Sequence, residues 1–576
     1  MIKKDFSNLR LNYKRYEYLY EYIDPEYIKR SINSAPLYWT NYKDATPKIY
    51  ETIGIQVIEE TIYENVIDFN KLDYLVNILE NDFDNVFLLV NQTKLQDRFI
   101  FEAIRFELIR FELIRLMSFS ITGFVSPSTE NSLNETRISL ETIKNDFVLY
   151  EKYLNTKNSN SFQILVKTLD NALIFANKQI GKKDSYNNFD RLTFVKDYIV
   201  PSFRLVLQNQ IEFVIESYKE TSNRPTIFNY LSEHIFGDEF LNPYMFTNSL
   251  DKSNEDIIKL GKILFEDYNL SLNNKQSCKS CHLPEKAFTD GQKTNFSSKD
   301  KSNLLRNTPT LINSIYADRY FYDLRASSPE MQIEHVLLNS NEFNTDLFKI
   351  IETISYDNIN NYRVLFQKAF NNYDKDYNNL VSITNLKRAI TAYLLQLRSF
   401  NSKFDKYIRN EKVDNKFVTL TNSEKNGFNL FMGKAMCGNC HFPPTFSGLV
   451  PPHFNENESE VLGVAATKDT INAILDGDLG RYYGIQRDRI DIYKHSFKTP
   501  TIRNVDLTAP YMHNGVYDNL EEVMEFYNKG SGKGLGINLE NQTLPFDNLK
   551  LKKTEIKDII NFMKTLTDTT FYKSIY

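Results

Sequence analysis

Apolar residues recur at helical spacing through the first 235 residues or so. Tyr13, Tyr16, Tyr20 and Ile23 would share one face of a first helix. Ser132-Leu133-Asn134-Glu135 reads as a capping box that opens a helix carrying Ile138 and Leu140. Pro36, Pro127 and Pro201 mark turns between helices. Phe106-Glu107-Leu108-Ile109-Arg110 is repeated at once by Phe111 to Arg115, a local duplication and not a solenoid period. The Tyr and Phe stripes are read as core. Residues 236–250, Phe236-Gly237-Asp238 through Asn248-Ser249, read as a linker.

Beyond the linker the helical pattern resumes. Ser253-Asn254-Glu255-Asp256 caps a helix with Ile257, Leu260 and Leu264 on one face. Thr421-Asn422-Ser423-Glu424 is a capping box ahead of Phe428 and Phe431. Asn519 opens a third helix, on which Leu520, Val523, Met524 and Tyr527 share a face. A last helix carries Ile556, Ile559, Ile560 and Met563. The pattern predicts a mainly α protein.

The chain has 576 residues, enough for three or four domains. Hydrophobic residues make up 41% and charged residues 25%, the balance of a globular protein. The net charge of −5 gives no reason to expect nucleic acid or an anionic membrane as partner. No apolar run approaches the length of a membrane span, and the mean hydropathy is −0.44. No signal peptide follows Met1-Ile2-Lys3-Lys4.

The four cysteines change the picture. Cys278-Lys279-Ser280-Cys281-His282 and Cys437-Gly438-Asn439-Cys440-His441 are the same C-x-x-C-H pattern twice. Two thiols one turn apart can each join a vinyl group of one porphyrin, and the next His can then ligate the iron. His is 7 of 576 residues, so chance would place it after both pairs about once in ten thousand. A split zinc site, a redox dithiol and disulfides are the other uses of paired cysteines. Zinc does not need His after both pairs, and a redox motif is not duplicated. The reading is two covalently bound haem c groups. Such attachment takes place outside the cytoplasm, so a periplasmic chain lacking its export signal is expected, with room for a lost lipid anchor.

Several segments now resemble a known family. They are Gly261–Phe265, Arg306–Asn313, Tyr320–Ala326, Asn401–Asp405, Phe497–Val505 and Thr508–Gly515. Residues 250–570 resemble the bacterial di-haem cytochrome c peroxidases and their MauG relatives, with the motifs in the family's order. The resemblance implies a peroxidatic haem domain over 251–410 and an electron-transfer haem domain over 411–576. They follow a helical N-terminal domain, 1–235, that the core family lacks.

By that resemblance His282 is the proximal ligand of the peroxidatic haem and His441 that of the electron-transfer haem. Gln332 and Glu342 fall at the distal positions. A carboxylate there can carry the proton that lets water leave from peroxide. Where some members place a gating His, this chain has Ser298, so an open iron is expected; His335 is read as structural. The sixth ligand of the second haem falls at Tyr527, with Met512 and Met524 as alternatives. Tyr322 takes the place of the inter-haem Trp, since the only Trp of the chain is Trp39. Asn307, Thr508 and Pro510 match calcium ligands, and Arg306 and Arg503 match propionate partners.

The implied activity is reduction of hydrogen peroxide with electrons from a small cytochrome c or cupredoxin. A MauG-like oxidation of protein side chains is the alternative, and a non-enzymatic di-haem carrier the least favoured. A homodimer is common in the family. In the N-terminal domain, Gly54-Ile55-Gln56-Val57-Ile58-Glu59 weakly resembles the G-x-H-x-x-E motif of imelysin-type proteins. Gln56 replaces its His, which argues for a scaffold or docking role over metal binding.

Overall fold

A computed structural model describes residues 2–36, 38–40, 46, 48–105, 116–124, 126, 131–153, 159–180, 182, 184–216, 225–248, 254–299, 302, 304–356, 361–370, 380–451, 453–543 and 547–571. The Phe106–Arg115 duplication, Pro127 and Ser253 lie outside them. Helices dominate the described residues, and three two-stranded antiparallel ribbons are the sheet content. None of the described helices is long and apolar enough to cross a membrane.

The N-terminal region is built from long helices, chiefly Ile2–Ile23, Phe69–Gln92, Ser132–Tyr153, Asn160–Ile180 and Val200–Glu212. Pro201 does not mark a turn between helices: Arg191–Phe194, Val195–Ile199 and Val200–Glu212 run on without a break, and a π-type turn precedes the proline and accommodates its missing N–H. The face that Ile2–Ile23 buries differs from the expected stripe. Phe6, Arg10, Tyr13, Lys14, Glu17, Tyr18 and Glu21 are buried, while Tyr16 is 54% exposed. The reason is electrostatic. Arg10 pairs with Glu59 at 2.9 Å and with Glu135 at 2.6 Å, and Lys14 pairs with Glu17 at 2.6 Å. Buried charges must be paired, and these are.

The same network corrects one local expectation. Glu135 turns inward to Arg10, so Ser132 and Glu135 do not form the expected capping box. Ser132 instead lies within the first turn of the helix Ser132–Tyr153. At the imelysin-like motif, Gln56 donates to Asn33 and Glu59 meets Arg10. A guanidinium stands beside the motif's carboxylate.

Each C-x-x-C-H motif lies in a frame of two crossing helices. Glu255–Glu266 crosses Ile383–Leu394, and Asn422–Phe431 crosses Lys553–Thr565. The crossings are close because glycine stands at each. A Cβ at Gly261 would lie 1.9 Å from the Ala389 carbonyl oxygen, and one at Gly427 would lie 2.0 Å from that of Asp558. The N-caps follow the sequence: Asn254 accepts from Ile257 N, Thr421 from Glu424 N and Asn519 from Glu522 N.

The described part of the segment expected as a linker, 236–248, is packed. Phe236 meets Phe404 edge-on at 5.6 Å, and Phe228 and Phe240 both contact Phe454. One apolar core runs from Phe101, Phe147 and Phe203 to Phe428, Phe431 and Phe562. The N-terminal region and residues 420–566 therefore share a core. The region around the first motif has its own, with Leu260, Phe288, Ile312 and Ile390.

Candidate functional site

The first motif forms a single helical turn, Cys278–Cys281, capped by Ser277. The chain then loops back through Ala287 and Phe288, both left-handed (φ 55° and 58°). This brings the Phe288 carbonyl to His282, whose Nδ1 donates to it at 2.9 Å. A ring held by one nitrogen offers the other to a metal. Burial pushes the His282 pKa down, which keeps the imidazole in its neutral, ligating form.

The second motif repeats the arrangement. His441 N bonds to Cys437 O at 2.9 Å, as His282 N does to Cys278 O. The carbonyls of Phe446 and Pro500 lie beside the His441 ring, and burial pushes its pKa down to about 4. Its Nδ1 is buried without a hydrogen bond of good geometry. No disulfide joins the four cysteines. Burial pushes Cys278, Cys281 and Cys437 up to about 12, and Cys440 well above its usual range.

A single cavity joins the two regions. The second contributes Cys437, Cys440, His441, Met524 and Tyr527 to its wall; the first contributes Thr308–Leu311, Tyr322 and Gln332. The wall is mainly apolar. Paired thiols, a neutral imidazole and an apolar hollow together fit a haem c.

On the first side, Gln332 reaches the cavity from the helix Pro329–Leu338. Glu342 follows that helix and accepts from Asn339 Nδ2 at 2.8 Å. Burial raises its pKa, outweighing Asn339 and the more distant Arg325. Its charge is felt at both Cys278 and Cys281. Ser298 lies against the same segment, its N–H bonded to Asn341 O at 2.9 Å, and offers no ring nitrogen. His335 stacks on Phe321 with ring centres 6.0 Å apart, and Arg325 covers that ring at 3.4 Å.

Tyr322 bridges the regions: its carbonyl accepts from Lys498 N at 2.8 Å. Burial raises the Tyr322 pKa, with Arg306 opposing and Asp290 assisting. Lys498 and Asp318 are buried together. Desolvation lowers Lys498 to about 8 and raises Asp318 to about 6.

On the second side, Tyr527, Met512 and Met524 all line the cavity. Burial raises the Tyr527 pKa, and the nearby Cys440 and Cys437 add to the effect. Glu460 joins the wall there and accepts from Thr543 Oγ1. With Glu458 and Cys440 it forms a cluster whose ligand atoms lie within 4.8 Å of one another. Desolvation raises both carboxylates. Sequence reading missed these two glutamates, since Glu456, Glu458 and Glu460 alternate like an exposed strand.

Asn307, Thr508 and Pro510 all line the cavity. Asn307 Nδ2 donates to Gln292 O at 2.8 Å, which leaves its Oδ1 as the atom able to face a cation. Arg306 is clamped between Asp478 and Asp323, each at 2.6 Å. Arg503 is fully buried and every side-chain nitrogen is bonded, two to Asp405 at 2.9 Å and one to Pro444 O at 2.8 Å. The carboxylate that it meets is Asp405.

Comparison with known proteins agrees with this geometry. The profile of the family described as di-haem cytochrome c peroxidase matches residues 255–413. The cytochrome-c peroxidase IdrP2 of Denitromonas iodatirespirans is 31% identical over 330 residues, covering 54% of this chain and 82% of the relative. The protein belongs to the di-haem cytochrome c peroxidase family. The cytochrome c551 peroxidase of Nitrosomonas europaea is 30% identical over 316 residues, with 54% and 80% covered. The methylamine utilization protein MauG of Methylophilus methylotrophus is 27% identical over 309 residues, with 53% and 81% covered. Peroxidases and MauG proteins thus match over similar lengths. Family membership makes the chain an oxidoreductase that uses haem c. The alignments cover little more than half of this di-haem family member.

Proposed function

We propose that the protein is a di-haem c-type peroxidase that reduces hydrogen peroxide to water, with electrons from a small periplasmic cytochrome c or cupredoxin. The balance is H₂O₂ + 2e⁻ + 2H⁺ → 2H₂O. In this reading Cys278 and Cys281 anchor one haem and Cys437 and Cys440 the other, with His282 and His441 as proximal ligands. When bound, the first haem would supply the electrons and the iron at which the O–O bond breaks. Glu342 takes the proton from the inner peroxide oxygen and returns it to the outer one, so that water leaves. Gln332 orients peroxide by hydrogen bonding. Tyr322 lies on the route between the haems, and its raised pKa ties electron passage to proton movement. Asn307, Thr508 and Pro510 would hold a calcium ion between the regions. Residues 1–235 form a helical domain outside the catalytic pair.

The observation that carries the reading is Glu342: a largely buried carboxylate with a raised pKa, close to the first cysteine pair. No His replaces Ser298 in the loop against it. Steady-state turnover with peroxide and reduced cytochrome c tests it. Turnover well above that of free haem is expected; turnover no higher than free haem would overturn the reading.

A second reading is a MauG-like oxidase acting on a protein substrate. Tyr527, buried on the cavity wall beside the second cysteine pair, favours it. Oxidising equivalents that persist for minutes after peroxide addition, without a donor, would select this reading.

A further inference from the structure

The N-terminal region closes over the loop that carries the second C-x-x-C-H motif. Phe119 stacks on Phe124 at 4.9 Å and meets Phe442 edge-on at 5.2 Å. Phe442 directly follows His441. Gly438, inside the motif, abuts Thr122: a Cβ there would lie 3.1 Å from its methyl carbon. Neighbouring backbone reinforces the contact, since Leu192 N donates to Asn429 Oδ1 at 2.8 Å.

One charge is built into this junction. Arg191 has no exposed surface. Its Nε donates to Ile121 O at 2.7 Å and its Nη1 to Phe189 O at 3.3 Å. The guanidinium lies 4.7 Å from the centre of the Tyr186 ring. The Tyr186 hydroxyl is the only side-chain oxygen that interacts with the group among the described residues, and no carboxylate pairs with it. Adjacent Asp190 is turned to Thr193 and Asn429 instead. The guanidinium presses on Gly433, shortly before Cys437, where a Cβ would lie 2.6 Å from its central carbon.

Carbonyl dipoles satisfy some of the N–H groups but do not cancel the charge. Arginine remains a cation even when buried. An unpaired cation in a dry interface is costly to keep, so its place against the haem loop calls for a reason. Reduction of a haem iron removes one positive charge, and a neighbouring cation favours the reduced side.

We propose that Arg191 raises the reduction potential of the haem held by Cys437, Cys440 and His441, so that the N-terminal domain sets the potential of the second haem. The inference rests on the di-haem reading above. A unit charge within roughly 12 Å, at an effective dielectric near 20, shifts a reduction equilibrium about tenfold. That is about 59 mV for a one-electron couple. The first haem, on a region with a separate core, should feel little of it.

The test is a spectroelectrochemical titration of holoprotein, with haem content measured alongside. Arg191→Met should lower the second haem's potential by about tenfold in equilibrium, and leave the first nearly unmoved. Gly433→Ala keeps the charge but pushes the guanidinium from the loop, and should lower the same potential by less. An unchanged second potential in Arg191→Met, or an equal fall at both haems, overturns the proposal. If Arg191→Met yields no holoprotein, Gly433→Ala decides, and an unmoved second potential there overturns it. A wild-type protein with only one haem would instead defeat the di-haem reading beneath the proposal.

Discussion

The two haem regions are built on one plan. In both, a glycine lets two helices cross at backbone contact, Gly261 against Ala389 and Gly427 against Asp558. In both, the motif is followed by a loop with a left-handed Phe, Phe288 or Phe446. A Thr-Pro-Thr segment then passes each histidine. Thr310 bonds to Ala287 O at 2.6 Å, and Thr501 to Thr445 O at 2.7 Å. A narrow loop closed by Tyr320 and Ala326 has its counterpart in Tyr511 and Tyr517, and an N-capped helix follows each. The regions part at what these last helices offer the cavity. The first presents Gln332, with Glu342 beyond its end; the second presents Val523, Met524 and Tyr527. The shared frame fixes each histidine, and on the proposed reading a few side chains from the following segment decide whether the site can move protons.

The largest expected break in this comparison is Glu342→Gln. Loss of a positioned acid–base group costs a hundredfold to ten-thousandfold, so peroxide turnover should fall by that range with both haems still bound. The pH profile sharpens the point. The raised Glu342 pKa means that the carboxylate is lost as pH falls through a value above the usual 4.5. The acid limb of wild-type turnover should therefore lie above pH 4.5 and vanish in the variant. Stability should move the other way. A raised folded-state pKa means that the native state holds its proton longer than the unfolded chain. That favours folding at low pH, and the advantage disappears as pH rises. Glu342→Gln should then be more stable than wild type at neutral pH. A less stable variant with an unchanged acid limb would make Glu342 structural.

This contrast between frame and chemistry also explains how much the sequence revealed. The motif pairs were legible because thioether and iron chemistry demand particular residue types at fixed spacing. Helix starts were legible at Asn254, Thr421 and Asn519, where capping is local. The charged face of Ile2–Ile23 was not. Helical periodicity placed Tyr16 inside and would place Arg10 and Glu17 outside, and the structure reverses this. Their partners Glu59, Glu135 and Asn33 are far away in sequence, so no local pattern announces them. Arg191, Lys498, Glu458 and Glu460 were missed for the same reason. Whether a lone charge is exposed or buried depends on which distant segment packs over it.

Next in size are the two crossing glycines. Gly261→Ala and Gly427→Ala each force a methyl group onto a carbonyl oxygen at about the same short distance. Overpacking of this kind costs about 1–3 kcal/mol, partly offset by the better helix propensity of Ala. Both variants should lose stability in thermal unfolding of the holoprotein. The two losses test whether the frames are equivalent in energy as well as in shape. Gly427 lies in the core that continues into the N-terminal helices, whereas the helix of Gly261 belongs to the separate first core. Gly427→Ala should thus also loosen residues 160–212, seen as faster amide exchange there, and Gly261→Ala should not. Equal exchange in both variants would show that the shared core transmits no strain.

The smallest expected effect on turnover is that of Tyr527→Phe, and it bears most directly on the difference between the regions. Tyr527 has no counterpart among the residues proposed to handle protons on the first side, and its raised pKa comes chiefly from burial. Removal of the hydroxyl keeps the apolar bulk that packs with Val523 and Phe526. Stability should change by about 1 kcal/mol or less. Peroxide turnover should change less than tenfold, because the proposed site of peroxide reaction lies at the other side of the cavity. The spectrum is where the substitution should register. Phenolate oxygen favours ferric iron and a thioether favours ferrous iron. If Tyr527 is the sixth ligand, Tyr527→Phe converts the low-spin signal of the second haem to high spin, or to a form with the thioether charge-transfer band as Met524 or Met512 moves in. An unaltered low-spin spectrum would remove Tyr527 from the iron and leave those two methionines to account for the second haem.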